Sequence, residues 1–220
     1  SVVPGSGMQQ IAEQIAARLP AGSIHINLPV RKADARRVST DAGTVESRAV
    51  VVATDADSAD ELLGGASGGN EWKGVTTIYH AAPEAPLATP TLLLDTDDGP
   101  INNTVVVTAA APSYAPDGRA LVATSLVHGR QASFDENVVR ERLAALYDTA
   151  TGEWEHVATY DIPRGLPAMP APHDFRKPVR HGDLYICGDY RDSSSIQGAL
   201  VSGDRAAAAV LADLGVRRHR

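Results

Sequence analysis

The sequence predicts a mixed α/β protein of the α+β kind, with helices and buried strands at both ends and a β-rich, mainly antiparallel middle. Three observations predict it. Toward the end, the apolar run Tyr185-Ile186-Cys187 is followed by a Gly188-Asp189 turn, a Ser-rich loop and a helix of small residues. Nearer the start, Ala49-Val50-Val51-Val52-Ala53 is a continuous apolar run. Between them lie β-branched segments separated by Pro-rich loops.

Taken in order, Val2-Val3-Pro4-Gly5-Ser6-Gly7-Met8 leads into a helix over residues 9–19. Ile11, Ile15 and Leu19 form its apolar stripe, and Pro20-Ala21-Gly22 stops it. Residues 23–28 alternate strictly, with Ile24, Ile26 and Leu28 apolar, which predicts a strand with one buried face running on to Val30. Residues 36–40 and 43–47 predict a hairpin around Asp41-Ala42-Gly43. Residues 49–53 predict a strand buried on both faces. Gly64-Gly65-Ala66-Ser67-Gly68-Gly69 reads as a flexible crossing into the middle segment.

There, residues 76–80, 91–95, 104–108 and 120–127 predict strands. Residues 137–147 predict a helix burying Val138, Leu143, Leu146 and Tyr147, and residues 154–162 a returning strand. Trp72, Tyr79, His80, Tyr160 and Met169 are candidates to line a substrate cavity, with ordinary packing as the alternative for each.

In the last segment Ser194 or Ser195 is suited to cap the helix that follows. Ala199, Gly203, Ala206, Ala207, Val210 and Leu214 predict one face of that helix, and Gly215 its end. Gly198 and Gly203 each lower helix propensity by about 1 kcal/mol relative to Ala, a cost with a purpose if something flat or bulky approaches the helix backbone. A helix N-terminus offers unpaired N–H groups and partial positive charge, so it favours an anion or electron-rich group. Asp189 can accept hydrogen bonds from ligand hydroxyls. The other reading is a strand, turn and helix whose glycines serve packing alone.

The totals exclude several classes. The 220 residues allow one large or two small domains. Hydrophobic residues at 43% and charged residues at 21% are those of a globular chain. A net charge of -7 and a pI near 5.4 argue against a nucleic-acid partner, which needs a basic face. A single cysteine fits a reducing compartment, and no membrane span or signal peptide is visible, so a cytoplasmic location is expected. His25, His80, His128, His156, His173, His181 and His219 lack the spacing of a metal site, so none is expected. Cys187, inside a predicted strand, reads as an inert thiol. No G-x-S-x-G elbow is present, Asp97-Asp98 reads as a turn, and the tail Arg217-Arg218-His219-Arg220 as solvated.

The string Gly188-Asp189 followed by Ser195-Ile196-Gln197-Gly198-Ala199-Leu200-Val201-Ser202-Gly203 resembles the C-terminal flavin motif of the FAD-dependent amine oxidoreductase and phytoene desaturase-like superfamily. Gly7-Met8, Val30 and Val51-Val52-Ala53-Thr54 fall in the order of further pieces of that family, with Asp55 standing where many members carry Pro or a small residue. The resemblance implies an incomplete FAD/NAD(P)-binding Rossmann-like domain over residues 1–63 and 171–220, with an inserted β-rich substrate domain over residues 64–170. It implies FAD as cofactor, held by Val30, Ala53, Thr54, Gly188, Asp189, Ser195, Ile196, Gln197 and Ala199. It also implies hydride transfer from an organic substrate to the flavin, the substrate being small and open in class, lipophilic ones included; no catalytic side chain is assigned.

The family's opening G-x-G-x-x-G turn is missing, since Gly5-Ser6-Gly7 is followed by Met8-Gln9-Gln10. FAD binding is therefore expected to need a segment or second chain that carries it. The alternative function is a non-catalytic remnant that keeps the fold and binds a partner or a second copy of itself through an exposed apolar surface. An unrelated α/β binding protein is a third.

Overall fold

The computed structural model describes residues 3–65, 71–97, 99–127 and 135–216. Residues 66–69 of the expected glycine loop, Val2, Asp98, His128 and the basic tail lie outside them. The elements are, in order, α1 (Gln9–Ala16), β1 (Val30–Asp34), β2 (Arg37–Thr40), β3 (Gly43–Glu46), β4 (Val51–Val52), α2 (Ala56–Leu62), β5 (Trp72–Ala82), β6 (Leu93–Leu94), β7 (Ile101–Val106), α3 (Val107–Ala110), β8 (Ala120–Val127), α4 (Glu136–Tyr147), β9 (Glu155–Pro167), β10 (Arg180–His181), β11 (Leu184–Ile186) and α5 (Ile196–Asp213). Two 3-10 turns, Pro112–Tyr114 and Asp189–Arg191, complete them. The mixed class and the mainly antiparallel pairing are as the sequence predicts. The chain divides into two compact units, Ser1–Ile24 with Gly74–Gly165, and His25–Lys73 with Leu166–Arg220.

The first unit is built on a five-stranded sheet in the order β6-β7-β8-β5-β9. Its apolar residues alternate with others, so Ile78, Val106, Val122 and Leu126 turn to one face, where Val139, Leu143 and Tyr147 of α4 cover them. A buried polar chain crosses this core. Tyr147 Oη lies 3.1 Å from Thr104 Oγ1, and Thr104 lies 3.1 Å from Thr124. Asp135 caps α4 by accepting from the Asn137 N–H at 2.9 Å. Arg142 grips the buried carboxylate of Asp95 with two hydrogen bonds, tying α4 to the β6–β7 hairpin.

Three expectations change in this unit. The helix of residues 137–147 buries Val139 at spacings of four with Leu143 and Tyr147, leaving Val138 47% exposed. The strand expected over 104–108 ends at Val106, where α3 begins. Helix α1 stops at Ala16 and buries none of its residues, so the stripe of Ile15 and Leu19 faces outward.

The second unit has three layers. β4 and β11 pair in parallel, Val51 opposite Tyr185 and Val52 opposite Ile186. Leu184 and Ile186 face a cluster with Val50, Val52, Ala56, Ala59 and Ala33. Tyr185 and Cys187 face Ala206 and Ala209 of α5. Burying a side chain such as Ile186 stabilises the fold by about 1.5–3 kcal/mol. The far end of α5 is fixed by Asp213, which takes two hydrogen bonds from Arg180 at 2.9 Å and one from Tyr185 Oη at 2.7 Å. Strands β1, β2 and β3 form a separate antiparallel meander, the expected hairpin with one strand added.

Here too the sequence reading is corrected. Residues 23–29 form no strand, and Ile24 and Ile26 are 53% and 79% exposed. Alternation alone does not make a strand without a ladder partner. β4 is not buried on both faces, because α5 covers β11 while Val51 stays 41% exposed. Helix α2 was not foreseen. Its signal was Asp55, whose carboxylate accepts from the Asp57 and Ser58 N–H groups at 3.1 Å.

Candidate flavin-facing site at the parallel edge

Two strands that run in parallel deliver their following residues to the same edge. The Cys187 N–H donates to Val52 O at 3.0 Å, the last rung of the ladder. Beyond it, Ala53-Thr54 leave β4 exposed, and Gly188-Asp189 leave β11. In open α/β sheets this carboxyl-end edge is where ligands sit.

The Gly188 turn is tightly determined. A methyl group there would overlap the Tyr190 ring, with Tyr190 Cδ1 at 2.8 Å from its position. Tyr190 is buried, and burial pushes its phenol up to about 12. On the other side lies the fully buried Ser202 of α5. Its Oγ accepts from the Gly188 N–H at 3.0 Å and sits 2.7 Å from Gly188 O and 3.1 Å from Ala199 O.

Asp189 is half-buried. Its Oδ1 accepts from the Tyr190 N–H at 2.8 Å, and among the described residues no cation pairs with it. Burial raises its pKa above the usual carboxylate range, and the Tyr190 N–H opposes that. Burial likewise raises the Cys187 thiol, which fits the inert thiol expected there.

The serines of the loop serve the chain itself. Ser195 Oγ caps α5 by accepting from the Gly198 N–H at 3.1 Å, and Ser193 Oγ lies 2.9 Å from it. Ser194 Oγ donates to Pro167 O at 2.7 Å, while its N–H points at Met169 Sδ, 3.1 Å away. With these groups engaged, the first two N–H groups of α5, on the exposed Ile196 and Gln197, have no carbonyl within the helix. Gly198 is needed because the Ser193 carbonyl occupies the place of its side chain, whereas nothing lies within 4 Å of a Cβ at Gly203. The close approach to Gly198 is thus made by the chain's own loop.

Of the residues implied by the flavin motif, Ala53, Thr54, Gly188 and Asp189 share the parallel edge, and Ser195, Ile196, Gln197 and Ala199 head α5. Val30 opens β1 opposite Thr40, in the meander instead. The buried face of α5 is Gly198, Ser202, Ala206 and Ala209; of the expected face Ala206 is buried, Gly203, Val210 and Leu214 are half-buried, and Ala199 and Ala207 are exposed. Ser202 was not singled out; a serine four residues after a buried helix glycine was its signal. Among the candidate cavity residues, His80 is buried beneath α4 and Trp72 donates to Asp57 at 3.0 Å. Tyr79 and Tyr160 meet edge to face, 6.0 Å apart, on the sheet face away from α4. No cluster suited to a metal ion and no helix long and apolar enough to cross a membrane occurs among the described residues.

Comparison with known proteins places this geometry. Cyclohexylamine oxidase from Brevibacterium oxydans IH-35A superposes with a TM-score of 0.72 at 16% identity, over 95% of this chain and 53% of that one. UDP-galactopyranose mutase in its reduced state gives 0.71 at 16% identity, over 99% and 54%. A triple mutant of putrescine oxidase gives 0.70 at 16% identity, over 95% and 53%. The chain thus spans about half the length of these structures, and at such identity the likeness is one of fold. No curated protein sequence matches it. The model of the family described as flavin containing amine oxidoreductase matches residues 1–211. With that match running along nearly the whole chain, this protein belongs to the flavin-containing amine oxidoreductases.

Proposed function

We propose that the chain supplies the C-terminal part of a flavin-dependent oxidoreductase that oxidises a small organic substrate. The observation that carries this reading is Asp189: a half-buried carboxylate with no cation among the described residues, on the same parallel edge as Ala53 and Thr54 and on the turn that packs against α5. A ribityl hydroxyl would donate to it, and the open N–H groups of Ile196 and Gln197 would meet the electron-rich pyrimidine edge of the isoalloxazine. FAD, when bound, supplies the acceptor for a hydride at N5. The chain's own residues bind and orient it. Amines are a natural class to test, since two of the similar structures are named for amine substrates.

The pyrophosphate-binding turn is supplied by another segment. Among the described residues β4 is an edge strand with an open side, and Val51 is exposed. These features favour completion by a G-x-G-x-x-G-bearing strand and helix, on the same or a second chain. The test is titration of the purified chain with FAD, alone and with such a polypeptide, followed by flavin fluorescence. Weak binding that tightens on complementation supports the reading; no binding in either case removes it.

A further inference from the structure

We propose that Ser202 is the positioning residue of the ligand-facing turn, its hydroxyl standing in for the strand partner that Gly188 lacks on the side of β11 away from β4, where Ile186 still donates to Val179 O. The inference rests on the flavin reading only for what the turn faces. In an antiparallel pair such as β10–β11, a hydrogen-bonded residue exchanges both its N–H and its C=O with the residue opposite. At Gly188 the neighbour is a side chain. Ser202 Oγ accepts from the Gly188 N–H at 3.0 Å and donates to Gly188 O at 2.7 Å. A serine hydroxyl has one proton and two acceptor sites, so the pairing uses the proton, and Ala199 O at 3.1 Å is the alternative acceptor.

Ser202 is fully buried, so water cannot replace it. A serine within a helix gains nothing from propensity over alanine, and its neighbours on the buried face, Ala206 and Ala209, are alanines. The hydroxyl therefore acts on the turn. With the Gly188 peptide fixed from below by Ser202 and the Tyr190 ring against it, the Asp189 carboxyl is fixed too. The role is positioning: Ser202 touches no ligand.

The test uses the full 220-residue chain as wild type, Ser202→Ala and Ser202→Thr. Amide hydrogen exchange reads Gly188 and, in the same spectra, residues 206–210 of α5. In Ser202→Ala the Gly188 amide should exchange at least about tenfold faster, with residues 206–210 unchanged, and the Asp189 carboxyl should titrate closer to its ordinary value. Ser202→Thr, which keeps the hydroxyl, should restore the Gly188 protection. An unchanged Gly188 amide would overturn the proposal. So would uniform loss of protection along α5, since the hydroxyl would then serve the helix as a whole. Titration with FAD forms a separate arm. If the wild type fails to bind FAD, complementation included, the flavin reading falls while the exchange result still decides the role of Ser202.

Discussion

His80 Nε2 lies 3.6 Å from Glu136 Oε1, inside a core where neither ring nitrogen of His80 makes a hydrogen bond. Burial, then the nearby Arg140, holds the imidazole pKa below its ordinary value, against the pull of Glu136; His156 adds a small effect in the same direction as Arg140. The folded state therefore binds this proton less readily than the unfolded one. Stability should be full above the unfolded value of about 6.5 and fall as pH drops toward the folded value. Urea unfolding at about pH 7.5 and about pH 5 checks it. His80→Leu should flatten the dependence; an equally steep loss in that variant would assign the acid sensitivity elsewhere.

The three glycines around α5 should respond differently to alanine. Gly188→Ala and Gly198→Ala force the Tyr190 ring or the Ser193 carbonyl to move, which costs about 1–3 kcal/mol each. Gly203→Ala meets open space and should stabilise the chain by about 0.5–1 kcal/mol. Thermal unfolding of the three variants separates glycines that close contact requires from one that it does not.

On the proposed flavin reading, Asp189 is expected to set folding against binding. A desolvated carboxylate without a cation disfavours the folded state, so Asp189→Asn, which can keep the bond from the Tyr190 N–H, should raise Tm. The same substitution should weaken FAD binding by about tenfold, the value of one hydrogen bond to a charged group. A variant that loses both stability and affinity would show that the carboxylate is structural.

Asp55 should behave as a helix cap. Asp55→Ala is expected to cost about 1 kcal/mol, and Asp55→Ser much less, because α2 would retain an acceptor for its first N–H groups. Urea midpoints of the two variants measure the difference.

Much of the second unit was legible because its signals are local. The apolar run before Gly188, the cap at Ser195 and the stop at Gly215 each depend on a few adjacent residues. What failed depended on partners distant in sequence. Residues 23–28 alternate as a strand does, yet a strand exists only where another pairs with it. Val138 and Val139 suit the same helix equally, and only the sheet beneath α4 chooses between them. The candidate site was readable as a motif, while the link from Ser202 to Gly188 was not, since the spacing of small residues on α5 allowed either of two neighbouring faces.

In β11 every residue answers to a different layer from the one before it: Leu184 and Ile186 to α2, Tyr185 and Cys187 to α5. Dropping one residue would swap these loyalties at a stroke, turning the Tyr185 phenol away from Asp213 and bringing Ile186 against the alanines of α5. Changes of chain length must then be absorbed outside this strand, for example in the largely exposed stretch of residues 170–175. The strand is in effect a ruler, and mutation is free to alter its markings but not its length.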